Sequence, residues 1–312
     1  MIPSIPAVNK LSFDSSGKDG DDFNCLLDKF PMLDGGWAAS TICLRKAFLN
    51  KPIIKARRED DNVEVNVYPY KIKPGLAGIH PKSMTSLGNT LEEFANGGAV
   101  RCVRCYNQLD GPFGGSGIGH DAAATFSSAQ PRIVSTSGAF KSLGVCYGMD
   151  FSDPSSTGYN LLNFGNRITQ QKSFFIFPVQ KKSGGSYYMG LFGGSNSFQF
   201  AEVGNFGGQG TTAFFGSYMT ASDNLSNDDT AITAFYIDAE NSRIHRSGTT
   251  IKTGDPGDRV WTASSGPQYG DYYISSGFGI MLGPIFYNLS NSDISDSKAN
   301  EITQYIKDLI EI

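Results

Sequence analysis

The sequence predicts an all-β protein, a jelly-roll β-sandwich with a short capped helix and a C-terminal helix. Glycine is frequent, with 37 residues in 312, and it separates short runs of aromatic and β-branched residues. This composition is typical of sandwiches and barrels. Two pairs of runs with alternating polarity also flank four-residue turns, as the strands of hairpins do. Helical spacing of apolar residues is clearest at the C-terminus.

The N-terminal residues 1–35 are rich in Pro, Gly and Asp, which predicts an extended anchoring arm rather than a part of the core. We expect Ile2, Pro3, Ile5 and Pro6 to make the anchoring contacts. Proline fixes φ and so lowers the entropy that an extended segment loses when a partner orders it. No linker divides the rest of the chain, so residues 36–312 are expected to form one domain.

The first part of this domain contains a hairpin and a short helix. Residues 40–49 predict a short helical or irregular stretch, and the alternating runs 53–58 and 63–68 predict strands around the turn EDDN. The sequence TLEE at 90–93 is a capping box, which predicts a helix that ends at Gly97 and Gly98.

The later part of the domain reads as strands. We expect strands at 99–106 and at 173–179, the second one covered on both faces because it is continuously apolar. A second hairpin joins strands at 232–237 and 243–245 through the turn DAEN, and the last strands lie in 276–288. In the final segment, Ile302, Ile306 and Leu309 recur at helical spacing and predict a helix with one docked stripe.

The spacing of Cys102 and Cys105 raises the question of a metal site. Successive side chains of a strand alternate between faces, so these two cysteines are expected on opposite faces, where they cannot share a metal. The histidines His80, His120 and His245 are scattered. The glycine-rich stretch 111–120 fits neither the dinucleotide-binding spacing nor a P-loop, and it predicts a mobile connection between strands.

Charge and apolar patterning exclude several classes of function. The net charge of −4 and the lack of a Lys/Arg cluster argue against binding to nucleic acid or to an anionic membrane. The longest apolar run, FFIFPV, is too short to span a bilayer. No signal peptide is recognised, and five irregularly spaced cysteines favour free thiols in a reducing cytosol.

Three kinds of candidate site follow from side-chain chemistry. Asp238 and Glu240 have a separation that suits a glycosidase, but their place in DAEN favours a turn. The acidic stretches SNDD (226–229) and DGDD (19–22) are weak Ca²⁺ candidates, which solvated turns also explain, and no cofactor or metal is assigned. The best candidates for carbohydrate binding are aromatic side chains near the C-terminus, although core or interface packing also explains them. They are Trp261, Tyr269, Tyr272 and Tyr273.

The order of several short motifs resembles the concanavalin A-like, laminin-G-type jelly roll. Such domains occur in bacteriophage virion proteins and resemble the catalytic domain of fungal α-L-arabinofuranosidase B. The matching positions are Leu44 and Arg45, Arg57 and Arg58, Tyr106 and Gln108, and residues 130–134 (QPRIV). The last hairpin and the closing strand and helix are also similar, so the resemblance extends from about residue 38 to the C-terminus.

The resemblance implies a non-enzymatic structural or appendage protein, such as a fiber or decoration protein, of a tailed bacteriophage virion. It would be made in the host cytoplasm, contact other virion proteins as a homo-oligomer, and present a lectin-like sandwich for attachment to a host glycan. No catalytic residue is assigned, because no carboxylate pair can be placed. A glycan-active hydrolase related to the α-L-arabinofuranosidases remains the alternative. A surface adhesin is a third interpretation, disfavoured by the unrecognised export signal.

Overall fold

The structure is a computed structural model of the 312-residue chain. It describes residues 23–30, 36–38, 40–108, 121–123, 130–151, 161–163, 172–180, 188–194, 197–204, 210–214, 217–222, 225, 229–257, 268–270, 280–282, 285–288 and 293–312. All elements and contacts given below lie within these ranges.

The described helices are short except for the last one. They are α1 (Leu26–Lys29), a 3-10 helix (Lys46–Phe48), α2 (Leu91–Ala95) and α3 (Asp296–Ile310). None of them is both long and apolar enough to cross a membrane.

Strands make up most of the remaining described chain. The N-terminal half contains β1 (Gly36–Ala38), β2 (Ile54–Arg58), β3 (Glu64–Val67), β4 (Tyr70–Lys73), β5 (Leu76–Gly78), β6 (Val100–Cys105), β7 (Ala122–Ala123), β8 (Arg132–Val134), β9 (Ser142–Leu143), β10 (Cys146–Tyr147) and β11 (Met149–Asp150). The C-terminal half contains β12 (Leu161–Asn163), β13 (Ser173–Gln180), β14 (Tyr188–Gly194), β15 (Ser197–Gly204), β16 (Thr211–Phe214), β17 (Tyr218–Ala221), β18 (Thr230–Ile237), β19 (Ser242–Arg246), β20 (Thr249–Gly254), β21 (Gln268–Gly270), β22 (Ile280–Met281) and β23 (Ile285–Asn288).

Antiparallel pairing arranges most of these strands in two rows, which are connected because β8 pairs with β6 and β11, and β11 pairs with β22. In one row, β13 pairs with β18 along one edge and with β22 and β23 along the other, and β19 and β20 extend the row beyond β18. In the other row, β3, β2 and β6 lead through β7, β12 and β21 to the meander of β14, β15, β16 and β17. The predicted all-β sandwich is confirmed, including both hairpins.

Strand β18 shows how the layers are stacked, because its side chains are buried on both faces. Phe235 and Ile237 belong to the core that also contains Val65 and Cys102 of the other row. The alternate residues Ile232, Ala234 and Tyr236 pack in a second core beneath α3. The molecule therefore has three layers at this point, namely two rows of strands and the C-terminal helix.

The two predicted helices form as expected. Thr90 Oγ1 accepts the backbone N–H of Glu93 at 3.2 Å, and the Glu93 carboxylate accepts the N–H of Thr90 at 2.8 Å, which completes the capping box of α2. In α3, Ile302, Ile306 and Leu309 are buried, so the predicted stripe docks on the body.

The N-terminal segment differs from the expected extended arm at residues 23–30. Leu26, Leu27 and Phe30 are almost fully buried in the core beneath α3, and the Phe30 ring meets the edge of Tyr305 of α3 at a centroid distance of 5.5 Å. The N–H of Leu27 also donates to the carbonyl of Leu44 at 2.8 Å. These residues are therefore part of the body. The predicted contacts of Ile2, Pro3, Ile5 and Pro6 lie outside the described residues.

Candidate functional site

The predicted sugar-binding aromatics lie almost wholly outside the described residues. Trp261, Tyr272 and Tyr273 are among the residues not described, and so is the stretch 109–120 with its glycines and His120. Only the backbone of Tyr269 is placed, in β21, where it pairs with Leu162 of β12. The assignment of these aromatics to a carbohydrate site stays a prediction.

The prediction that Cys102 and Cys105 point to opposite faces is wrong. A β-bulge interrupts the pairing of β6 with β2, because Ala56 faces Cys102 whereas Lys55 faces Arg104, and Val103 is left as an extra residue. The extra residue resets the alternation, so the two Sγ atoms lie 3.7 Å apart in the core. Burial raises the pKa of the Cys102 thiol, and the contact with Cys105 raises it further, so the Cys102 thiol stays protonated.

Metal ligation finds no support in the described part of the chain. No group of three or more His, Cys, Asp or Glu side chains is close enough there to hold an ion. Of the two acidic stretches considered for Ca²⁺, only Asp229 is described, and it is exposed. The absence of a bound metal at the cysteine pair stays a prediction.

The motif positions that carry the family resemblance contact one another inside the fold. The Gln108 side chain is buried, accepts the N–H of Leu44 at 2.8 Å and donates to the carbonyls of Ser40 and Ile42 at 3.0 and 2.9 Å. Arg57 Nε donates to Gln130 Oε1 at 2.8 Å. These motifs therefore bind the backbone and each other, which is a structural role.

Beside this contact, Glu59 joins two arginines. Its carboxylate accepts Nε and Nη2 of Arg132 at 3.1 Å each, and it also pairs with Nε of Arg101, whose Nη1 donates to the carbonyl of Gln130 at 2.6 Å. Burial raises the pKa of Glu59, but Arg132 and Arg101 outweigh it, and the pKa is lowered overall. The carboxylate is thus held ionised between β6 and β8.

The turn predicted at Asp238 and Glu240 is confirmed, since the N–H of Asn241 donates to the carbonyl of Asp238 at 2.9 Å. Asp238 nevertheless has a carboxylate neighbour that its sequence position does not reveal. The Tyr236 hydroxyl lies 3.0 Å from Asp238 Oδ2 and 2.6 Å from Asp293 Oδ1. Lys172 Nζ lies 3.4 and 3.6 Å from the same two oxygens.

This Tyr236 cluster (Lys172, Tyr236, Asp238, Arg243 and Asp293) is balanced in charge. The Arg243 guanidinium lies 4.2 Å from the centre of the Tyr236 ring, and its Nη2 donates to the carbonyl of Ile294 at 2.8 Å. Burial raises the pKa of Tyr236, and the hydrogen bonds to Asp293 and Asp238 raise it further. The Tyr236 phenol therefore stays protonated as a hydrogen-bond donor, and it connects the end of β18 to the segment before α3.

Four aromatic side chains from separate segments meet at the surface, and together they are the aromatic cluster (Tyr70, His80, Phe140 and Tyr147). The Tyr70 and His80 rings are stacked, with centroids 4.7 Å apart and planes inclined by 22°. Tyr147 meets His80 edge-on at 5.3 Å, and Phe140 meets Tyr147 edge-on at 5.7 Å. All four side chains are half-buried, so each also presents surface to solvent.

The aromatic cluster has no sequence signature, because β4, the turn after β5 and the hairpin of β9 and β10 bring its members together from up to 77 residues apart (Tyr70 to Tyr147). Half-buried rings supply apolar faces, and tyrosine and histidine add polar atoms at the rim. Among the described side chains, this cluster has the chemistry closest to that expected for the predicted aromatic loop.

Comparison with known proteins gives likeness at the level of structure only. No protein-family model matches the sequence, and no curated protein matches it. A solved mutant GH54 α-L-arabinofuranosidase soaked with 4-nitrophenyl α-L-arabinofuranoside is similar with a TM-score of 0.60 and 13% identity. An arabinofuranosidase complexed with arabinofuranosyl-α-1,2-xylobiose is similar with a TM-score of 0.57 and 13% identity. A GH54 α-L-arabinofuranosidase soaked with a cyclic sulfate inhibitor gives 0.55 and 12%.

Each of these likenesses covers 90% of this chain and 64% of the other chain, so the protein spans about two thirds of the length of these enzymes. The finding contradicts the expectation of a non-enzymatic protein, because these three solved structures, which share the fold over 90% of the chain, are enzymes. That expectation rested on the lack of a carboxylate pair at short spacing. Spacing cannot reveal a pair such as Asp238 and Asp293, which meet only in the folded chain. What the likeness shows for this protein is the fold, a β-sandwich of the kind found in glycosidase domains.

Proposed function

We propose that the protein is a carbohydrate-binding β-sandwich. The observation that supports this most strongly is the likeness of nearly the whole chain to α-L-arabinofuranosidases that were solved with arabinofuranosides bound or soaked in. The aromatic cluster adds a described surface with suitable chemistry. The low content of charged residues, 18%, is also compatible with recognition through rings and hydroxyl groups rather than through ion pairs.

Hydrolysis of a glycoside is the second candidate, and it is favoured by the same likeness. A retaining glycosidase needs two carboxyl groups about 5–5.5 Å apart, whereas an inverting one needs about 6.5–9.5 Å. Asp238 and Asp293 are the described carboxylates that share a hydroxyl partner, but Lys172 and Tyr236 already occupy the oxygens between them.

One experiment separates these candidates. Binding is measured by calorimetry with arabinotriose and xylotriose, and turnover by release of 4-nitrophenol from 4-nitrophenyl α-L-arabinofuranoside. Saturable binding without release supports a binding protein, whereas release that exceeds the spontaneous rate supports a hydrolase. Neither binding nor release with these probes or a wider glycan array would contradict both candidates.

The finer proposal is that this sandwich is part of a tailed bacteriophage particle, made in the host cytoplasm and assembled there as a homo-oligomer with other virion proteins to attach to a host glycan. The order of the sequence motifs supports it. The contacts of Gln108 with residues 40–44 and of Arg57 with Gln130 explain why such motifs would be kept together in one fold. Negative-stain images of native particles labelled with an antibody against the protein test this proposal, and unlabelled particles would contradict it.

A further inference from the structure

We infer that the aromatic cluster is a binding site for a single ring of a neutral sugar, with Tyr70 and His80 as its central contacts. The inference rests on the proposed carbohydrate binding and assigns it to defined residues. These residues are distinct from the predicted aromatic loop, which contains Trp261 and Tyr269.

The first argument concerns the state of His80, which the surrounding turn fixes. The backbone N–H of Lys82 donates to His80 Nδ1 at 3.1 Å, so Nδ1 is an acceptor and carries no proton. The backbone N–H of His80 donates to Ser83 Oγ at 3.0 Å, and the backbone N–H of Ser83 donates to the His80 carbonyl at 2.8 Å. These two hydrogen bonds fix the turn. The neutral ring must then carry its proton on Nε2, where it is a hydrogen-bond donor.

The second argument concerns unused hydrogen-bonding capacity. Within the ranges that the structure describes, His80 Nε2 and the hydroxyl groups of Tyr70 and Tyr147 have no hydrogen-bond partner. The cluster therefore carries one fixed donor and two hydroxyl groups that can donate or accept. A sugar ring offers the complement, namely apolar C–H faces for the aromatic rings and hydroxyl groups for the three polar atoms.

The third argument concerns charge and favours a neutral sugar. Lys82 and Glu92 are exposed charges of opposite sign that both act on His80. Next to Phe140 along the chain, Lys141 Nζ is paired with Asp150 Oδ2 at 2.6 Å. No single sign of charge dominates among these described groups, so neither an acidic nor an amino sugar gains from the surroundings.

The packing beneath the cluster makes the site preorganised. Phe140 and Tyr147 pack against the main core of the sandwich. His80 is held by its turn and lies between Tyr70 and Tyr147. Rings that are fixed before binding lose little conformational entropy when a ligand arrives, which favours them as contacts for a weakly hydrogen-bonding ring.

The test is saturation-transfer NMR and calorimetry with arabinotriose, xylotriose and cellotriose, and with sialyllactose as an acidic probe. We expect binding of at least one neutral trisaccharide, a loss of affinity of tenfold or more in Tyr70→Ala, and a partial loss in His80→Phe, which keeps a ring but removes the donor. The matched control is Tyr218→Ala, since Tyr218 is 55% exposed on β17, a strand that contributes no residue to the cluster, and this variant should bind as the unchanged protein does.

If Tyr70→Ala fails to fold, the shift of the His80 imidazole proton on addition of the trisaccharide gives the same information in the unchanged protein. Binding that is equal in Tyr70→Ala, His80→Phe and the unchanged protein would overturn this inference while the proposed function stands. Preferential binding of sialyllactose would overturn the choice of a neutral ligand. Failure of the unchanged protein to bind any of these probes or any glycan on an array would overturn the proposed function as well.

Discussion

At the scale of single residues, the interior holds polar side chains in fixed protonation states, and His245 is the clearest case. His245 Nδ1 lies 2.9 Å from Asn300 Oδ1, and because an amide oxygen can only accept, the proton of this hydrogen bond resides on Nδ1. The neighbouring Thr250 hydroxyl donates its own proton to Asp296 Oδ1 at 2.6 Å. Nε2 is then a buried acceptor, and it has no hydrogen-bond partner in the described structure. A second proton would have to be placed on this buried nitrogen.

His245 is therefore expected to destabilise the protein in acid. Burial lowers the pKa of His245, and the opposing effects of Asn300 and Asp296 do not cancel this, while Arg243 adds to it. The pKa of His245 in the folded protein lies below its value of about 6.5 in the unfolded chain. The stability that neutral His245 contributes is therefore fully present above about pH 6.5 and is lost as the pH falls through the folded pKa. We expect the melting temperature to drop more between pH 7.5 and 5.0 in the unchanged protein than in His245→Asn. An equal drop in the two proteins would contradict this prediction.

The carboxylate of Glu59 should be essential for stability. Glu59→Gln removes the carboxylate charge that pairs with the buried Arg101 and the half-buried Arg132. Because Glu59 is partly buried, its removal should cost more than the loss of a surface pair and up to about 3 kcal/mol. Urea denaturation should show a loss of this size, whereas the control Glu64→Gln, which removes the exposed pair with Lys55, should cost under about 1 kcal/mol. Equal midpoints for both variants would show that the Glu59 pair contributes no more than a surface pair.

At the scale of elements, the sequence predicts what local patterns encode and misses what only the folded chain creates. The hairpins form because alternation and turn residues act over a few positions, as in β18, Asp238 and β19. The bulge at Val103 adds one residue to β6, and no alternation pattern shows which strand has the extra residue. The aromatic cluster has no pattern at all, since its rings come from different hairpins.

The composition of residues 1–35 does not predict helix α1, although a short apolar pattern favours it. Phe23, Leu26, Leu27 and Phe30 have the spacing i, i+3, i+4 and i+7 that favours a helix, and all four are buried. Only Leu26 and Leu27 lie within α1, and Phe23 packs in a separate cluster with Cys43 and Phe48. The surrounding Pro, Gly and Asp residues dominated the composition of the segment and hid this short pattern. The average composition of residues 1–35 therefore fails to predict a structural role that depends on a single turn of helix.

The docking of α3 can be tested with one substitution on its buried stripe. Ile302 is fully buried beneath the strands. Ile302→Asp removes its apolar contacts and places an unpaired charge in the core, so we expect a loss of several kcal/mol and a clearly lower melting temperature. Glu301→Gln, at the exposed neighbouring position, serves as the control and should change little. Equal melting temperatures for the two variants would contradict the docking.

The contact between the end of α3 and the hairpin of β9 and β10 requires a glycine. A Cβ atom at Gly144 would lie 1.9 Å from the carbonyl oxygen of Ile310, and φ is +59°. Gly88 has a similar φ of +84° but open space around it. Gly88→Ala should thus cost only the strain of a left-handed residue, about 1 kcal/mol, and Gly144→Ala considerably more, as measured by thermal unfolding. Similar costs would show that the hairpin shifts away from α3 without loss.

At the scale of the whole molecule, one row of strands is buried on both faces. Residues from both ends of the described chain pack against it. The core beneath α3 contains side chains of α1, of β13 and β18, and of α3 itself. The Lys29 ammonium lies 3.7 Å from the centre of the Tyr305 ring, so α1 and α3 also meet at the surface. The described N-terminal residues and the C-terminal helix therefore stabilise the same layer, and neither is an appendage to it.

Because α1 belongs to this layer, the effect of truncating the N-terminus should depend on whether α1 is removed. Two deletions test this. Removal of residues 1–22 leaves α1 and the contacts of Leu27 and Phe30 in place, so we expect the melting temperature to stay close to that of the full chain. Removal of residues 1–30 deletes the three buried side chains of Leu26, Leu27 and Phe30 from the core beneath α3 and should lower the melting temperature by many degrees. The predicted anchoring role of Ile2, Pro3, Ile5 and Pro6 adds a second readout, because light scattering should show a homo-oligomer for the full chain and a smaller species for the shorter deletion. A shorter deletion with unchanged mass would contradict the anchoring role, and a longer deletion with unchanged melting temperature would contradict the structural role of α1.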